Sequence, residues 1–192
     1  MALPTTRIAE ALSFQPLESY FLQVKINLQK IIKYKIKKWV FGTGMDLQDF
    51  MELGPRLAEI DDVARKCKII EVMLKNYQDY ISALERCSKP VIAAVHNACI
   101  GGALDLLTAT DIRMCSSDAW FQVKEVEIGM AADVGTLQRL PRVIGNQSLV
   151  NELCLTARKM PAIEAKDCGF VSQIFDDKER FEFNQFEFAA NF

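Results

Sequence analysis

The chain has 192 residues, half of them hydrophobic and a quarter charged, with a net charge of −2 and a pI near 5.6. That profile fits one soluble globular domain with a sizeable core, and nothing in it favours nucleic acid or an anionic membrane as a partner. The single histidine, His96, excludes an H-E-x-x-H zinc site and allows at most one Ser-His or Cys-His dyad, so acid–base chemistry falls to carboxylates.

Residues 20–41 open with an alternation, Phe21, Gln23 and Lys25 against Leu22, Val24 and Ile26, which predicts a strand. Behind it "IIKYKIKKW" reads as a strand edge, a basic helix face or a misfit. "FGTGMDL" at 41–47 places two glycines around a threonine, a backbone-permissive turn. Residues 61–86 give the clearest helix. Val63, Cys67, Ile70, Leu74, Tyr77, Ile81 and Leu84 recur every three or four positions, behind the N-terminal acids Asp61 and Asp62. "VIAAV" at 91–95 predicts a buried strand, "HNACIGG" a turn, "ALDLLTAT" a helix and "IRMC" at 112–115 another strand. Together they argue a βαβ unit and an α/β fold. Residues 148–157 and 161–168 read as helices, with Pro161 at a first helical position. Gly169 ends the second of these, and "FVSQIF" at 170–175 returns as a strand. The Phe-rich tail "RFEFNQFEFAANF" reads as an exposed edge strand or as unfolded chain.

The chemistry concentrates after the glycine pair Gly101-Gly102, where a strand-turn hands over to a helix. Backbone N–H groups there lack partners in their own helix and can hold a developing negative charge on a carbonyl oxygen. Asp105 follows in the first turn. Glu125, Glu127 and Asp133 sit in the apolar stretch "VKEVEIGMAADVG", a loop leading into "GTLQRL". A carboxylate in an apolar pocket has a raised pKa and becomes a competent base, so acids beside an oxyanion hole would suit proton abstraction next to a thioester. By spacing alone, these acids are equally readable as surface charges and a helix N-terminal charge.

"KPVIAAVHNACIGGALDLLTATDIRMCSSDAWF" together with "EIGMAADVGTLQRLPRVIG" resembles the crotonase (enoyl-CoA hydratase/isomerase) superfamily. The resemblance runs from about Phe41 to Glu179. It is strongest to the branch that converts 3,5-dienoyl-CoA to 2,4-dienoyl-CoA in fatty-acid β-oxidation, through "FQVKEVEIGMAADVGTLQRLP" and "IGNQSLVNELCLTARKM". It implies a crotonase-like spiral of ββα units. Glu125 matches the carboxylate that takes a proton from C2, Asp133 the one that delivers a proton at C6, and Asp105 the third pocket acid. The N–H groups of Met45 and Gly102 match the oxyanion-hole donors, while Glu127 and His96 match nothing catalytic. An acyl-CoA thioester is the implied substrate, with no metal or redox cofactor since CoA belongs to the substrate. A homo-trimer or hexamer, working in mitochondria or peroxisomes, is the implied assembly.

Several features depart from that pattern. "IIKYKIKKW" is too short for the helix and second strand that the family places before "FGTGMDL". Asn97 and Ala103 stand where glycines are common. Asn97 tolerates a left-handed turn, and Ala103 costs little inside a helix. After Glu179 the resemblance stops, and the family's C-terminal helices are expected to be absent. The expected organisation is an irregular segment over 1–19, an incomplete crotonase-like core over 20–179 and a divergent tail over 180–192. A non-catalytic truncated paralogue and an enoyl-CoA hydratase are the alternative readings. "KYKIKK" at 33–38 is most simply a solvated basic face, with contact to CoA phosphates as the sharper alternative. The six cysteines are spaced as free, buried thiols. Neither terminus carries a convincing targeting signal.

Overall fold

A computed structural model describes residues 22–27, 31–36, 42, 44, 54, 55 and 57–176, the first two segments as backbone pairing. The tail, the segment over 1–19, Met45, Lys37 and Lys38 lie outside the described residues. Two sheets organise what is described. The larger has strand order β1-β2-β3-β5-β8 and the smaller β4-β6-β7.

Strands β1 (Leu22–Asn27) and β2 (Ile31–Ile36) form an antiparallel pair. The described part of the basic stretch, Ile31–Ile36, is therefore a strand, and β2 runs parallel to β3 (Val91–Val95), every residue of which is buried. From β3 the chain turns through His96 and Asn97, which takes a left-handed φ of 52°, as its short polar side chain permits. It then enters β4 (Ala98–Ile100) of the smaller sheet and helix α2 (Gly102–Thr108). "HNACIGG" is thus not one turn. Its middle is a strand, because Ala98, Cys99 and Ile100 pair with β6 (Trp120–Gln122).

The pattern then repeats. β5 (Ile112–Ser116) lies in the larger sheet, parallel to β3, and β6 in the smaller. A 3₁₀ turn (Glu125–Ile128) and helices α3 (Thr136–Ile144) and α4 (Gln147–Thr156) follow. Each unit puts one strand in each sheet and then a helix, which is the expected spiral of ββα units. The core fills the angle between sheets and helices with Val95, Leu104, Leu107, Phe121, Leu140, Leu153 and Phe170. Phe121 and Phe170 meet edge-on with centroids 5.1 Å apart.

Strand β7 (Met160–Pro161) and helix α5 (Ala162–Asp167) correct two expectations. Pro161 is the N-cap in extended conformation, outside the helix, because its backbone pairs with Trp120. Only Gln173–Phe175 of "FVSQIF" is strand (β8). The Val171 N–H is turned back to Ala165 O of α5 at 3.1 Å, and the Ser172 N–H reaches Arg113 O of β5 at 2.8 Å, where the chain joins the ladder.

Helix α1 (Val63–Glu85) begins where Asp62 accepts from the N–H groups of Ala64 and Arg65 at 2.8 and 3.4 Å. Its last turns pack, with Leu84 buried against Val91 and Ala109. The first half exposes Val63 (70 %), Ile69, Ile70 and Val72, and Cys67 is exposed there as well, while Cys99 and Cys115 are buried as expected. Asp62→Ala is expected to cost about 1 kcal/mol by leaving first-turn donors uncapped. Urea denaturation would measure it, and an unchanged midpoint would show the cap to be redundant. Among the described residues no helix is long and apolar enough to cross a membrane.

Candidate active site

Strands β4 and β6 are parallel neighbours, with Ile100 paired to Gln122. Their C-terminal ends therefore release the chain side by side, one into Gly101-Gly102 and the other into Glu125. The Gly101 N–H donates to Gln122 O at 3.0 Å, which locks the two exits together. Gly101 has φ 55°, and a Cβ there would lie 3.1 Å from Glu125 Oε1. Glycine is needed for the backbone and for the close approach of the carboxylate.

Gly102 is the first residue of α2, so its N–H has no partner in its own helix. The strand-like bridge between Gly42 and Cys99 brings the glycine turn alongside. Gly44, at φ 84°, sits so close that a Cβ on it would meet Gly102 N at 2.8 Å. Met45, the other expected oxyanion donor, follows directly in sequence and lies outside the described residues.

Glu125 is 9 % exposed, and its Oε2 is buried with no hydrogen-bond partner among the described residues. Burial pushes its pKa up to about 6. The charges of Asp105 and Asp133 add to that rise, and backbone N–H groups of Glu125 and Lys124 oppose it. This is the environment that makes a carboxylate a base near neutral pH. Asp105 is 1 % exposed and accepts the Thr136 N–H at 2.5 Å. Burial is the main reason that its pKa rises. Thr136 and, more weakly, Arg139 work the other way, while Asp133 adds to the rise. Asp133 is half-buried in the loop before α3, and its carbonyl accepts from Gln78 Nε2 of α1 at 2.8 Å.

The three expected acids therefore come together, close enough to feel one another's charge. Among the described residues they do not converge as metal ligands. Glu127 is exposed and pairs with Lys124, a structural role. His96 is buried just after the end of β3.

Sequence reasoning missed several residues around the acids. Thr136 supplies the donor to Asp105. Arg139 binds Glu85 Oε2 through Nε and Nη2, at 3.1 and 2.9 Å, and ties α3 to α1. Cys154 of α4 lies near enough that, after burial, Glu125 and Asp105 raise its thiol pKa. Only Thr136 left a sequence signal, as the hydroxyl residue that opens the helical run "TLQRL". A cavity of about 10 Å³ within the core is lined by Leu104, Phe121, Leu140, Leu153 and Met160 among others. It has room for about one water.

Comparison with known proteins gives this geometry a lineage. Residues 37–191 match the enoyl-CoA hydratase/isomerase family. The chain is 58 % identical over 142 residues to the mitochondrial Δ(3,5)-Δ(2,4)-dienoyl-CoA isomerase of Homo sapiens, covering 73 % of this chain and 42 % of that protein. It is 45 % identical over 142 residues to the peroxisomal enzyme of that name from Arabidopsis thaliana, covering 74 % and 51 %. The chain spans about half the length of the curated relatives it matches. Among solved structures, a Thermobifida fusca protein assigned as an enoyl-CoA hydratase, in complex with acetoacetyl-CoA, superposes with a TM-score of 0.72. The identity is 25 %, covering 84 % of this chain and 62 % of that one.

Proposed function

The chain belongs to the enoyl-CoA hydratase/isomerase family, and from that premise we propose that it moves the double bonds of a 3,5-dienoyl-CoA to the 2,4 positions. Glu125 takes a proton from C2. The thioester oxygen gathers the resulting charge and is held by the N–H groups of Gly102 and Met45. Electrons shift along the diene, and Asp133 gives a proton at C6. Asp105 supports both acids as the third carboxylate of the pocket. The reaction needs neither metal nor redox cofactor, because CoA arrives as part of the substrate.

The observation that carries this reading is the buried Glu125 carboxylate, whose Oε2 has no hydrogen-bond partner among the described residues and whose Oε1 lies beside Gly101, one residue from the Gly102 N–H at the start of α2. The names of the relatives support a mitochondrial or peroxisomal setting. The exposed apolar half of α1 supports an assembly that covers it, such as the trimer or pair of trimers implied by the family resemblance. That same face favours a second reading, a non-catalytic paralogue that docks on family members.

Ultraviolet absorbance of the protein mixed with a 3,5-dienoyl-CoA separates the two. The isomerase produces a conjugated 2,4-dienoyl thioester, and both Glu125→Gln and Asp133→Asn abolish its formation. A folded sample that turns over nothing would leave the second reading in place.

A further inference from the structure

The three acids do not have equal access to a substrate. Asp105 is 1 % exposed, against 9 % for Glu125, while Asp133 is half-buried. The exposure that proton exchange with a bound molecule requires is therefore smallest at Asp105. Its carboxylate also has another occupation. Helix α3 starts at Thr136 behind Gly135, an N-cap with no side chain, and it receives no side-chain cap from its own segment. A helix start leaves its first N–H groups without partners. The one at Thr136, itself 1 % exposed, goes to Asp105 Oδ1 from 31 positions away in sequence.

We infer that Asp105 is a positioning residue, whose carboxylate caps α3 across space and so holds the loop carrying Asp133 in place. Asp133 lies three positions before Thr136. Its own carbonyl is held from the other side by Gln78 of α1 at 2.8 Å, and the Ala132 carbonyl accepts the Leu137 N–H at 3.3 Å. The loop is therefore pinned at two ends, by α1 and by α2. Because Asp105 and Gly102 share α2, one rigid element sets both the oxyanion donor and the tether of the distant acid. A displacement of about 1 Å at such a site can cost on the order of 100-fold in rate, which is the size of effect a lost tether should have.

The inference rests on the isomerase reading for its kinetic arm only. Asp105→Asn keeps an oxygen that accepts the Thr136 N–H, and Asp105→Ala removes it. Both are made in the full chain and compared with Glu125→Gln. The asparagine form is expected to keep kcat within about tenfold of the parent, whereas the alanine form loses about 100-fold in kcat with a smaller change in KM. Hydrogen exchange over residues 130–137 is expected to stay native in the asparagine form and to quicken in the alanine form.

An asparagine form as inactive as Glu125→Gln, with native exchange over 130–137, would make Asp105 a proton donor and overturn the inference. So would an alanine form with native exchange over that segment. Should the alanine form not fold, the asparagine form decides alone, because a cap predicts both retained activity and retained protection. If the parent turns over no dienoyl-CoA, the isomerase reading fails by itself, and the exchange data still decide the tether.

Discussion

Replacing Glu125 with glutamine is expected to lower kcat on a 3,5-dienoyl-CoA by about 10²–10⁴-fold, the usual worth of a positioned general base, and at the same time to stabilise the fold above pH 6. The two effects share one cause. Burial, with Asp105 and Asp133 adding to it, lifts the carboxylate from 4.5 to about 6, so between those values the folded state binds a proton that the unfolded chain has released. Stability contributed by this group is therefore greatest at low pH and falls as pH rises from about 4.5 through about 6. The loss corresponds to about 2 kcal/mol at neutral pH. Glutamine fills nearly the same volume and never ionises, so it is spared that loss.

Urea denaturation at about pH 5 and about pH 7.5 should show the parent weakening between the two while the glutamine form changes much less. In the parent, kcat/KM should fall below about pH 6 as the base is protonated. A glutamine form that weakens with pH as the parent does would assign the ionisation to another group.

Gly44→Ala is expected to reduce kcat by about 10²–10³-fold, the typical effect of losing an oxyanion donor, although Gly44 contributes no functional atom of its own. At φ 84° any other residue carries left-handed strain, about 1–2 kcal/mol. The added Cβ would also meet two backbone atoms, Gly102 N at 2.8 Å and Ile100 O at 3.0 Å, and neither can swing aside. Gly44 must then move away from the start of α2, and the proposed oxyanion hole opens. Gly145→Ala is the matched control. Its φ is 70° with nothing within 4 Å of the added methyl, so it should carry the strain without the rate loss. Equal kcat losses in both variants, measured on the same dienoyl-CoA, would show that strain, and not the approach to Gly102, is what matters.

Much of the frame can be read from local pattern. The apolar run of β3, bounded by Pro90, the helical spacing over Val63–Glu85 and the left-handed allowance at Asn97 all act within a few residues, where periodicity and backbone preference are informative. Strands β4 and β6 have three residues each, too few for alternation to register, and they exist because they pair with each other. The stripe on α1 shows which residues share a face, yet it carries no information about what covers them. Val63 and Ile70 follow the same spacing as Leu84 and stay exposed.

In the site, the residue types of Glu125 and Asp133 stand out because acids are rare in apolar surroundings. The bond from Thr136 to Asp105 leaves no such trace. It joins two positions that are neighbours only after the sheet has formed, and a threonine before "LQRL" reads as an ordinary helix start.

The pairing of Ile100 with Gln122 also bears on how this family can vary over time. Gly102 lies two residues beyond one member of that pair and Glu125 three beyond the other, so the spacing of Gly102 and Glu125 is set by counting along two adjacent strands. Side chains on those strands can drift as long as they pack. A single inserted or deleted residue between Ala98 and Gly102, or between Trp120 and Glu125, would shift one exit by about 3.3 Å and turn the following side chains to the opposite face. Lineages should therefore tolerate substitutions in β4 and β6 while excluding changes of length there, and gather their insertions in segments such as the connection before α1.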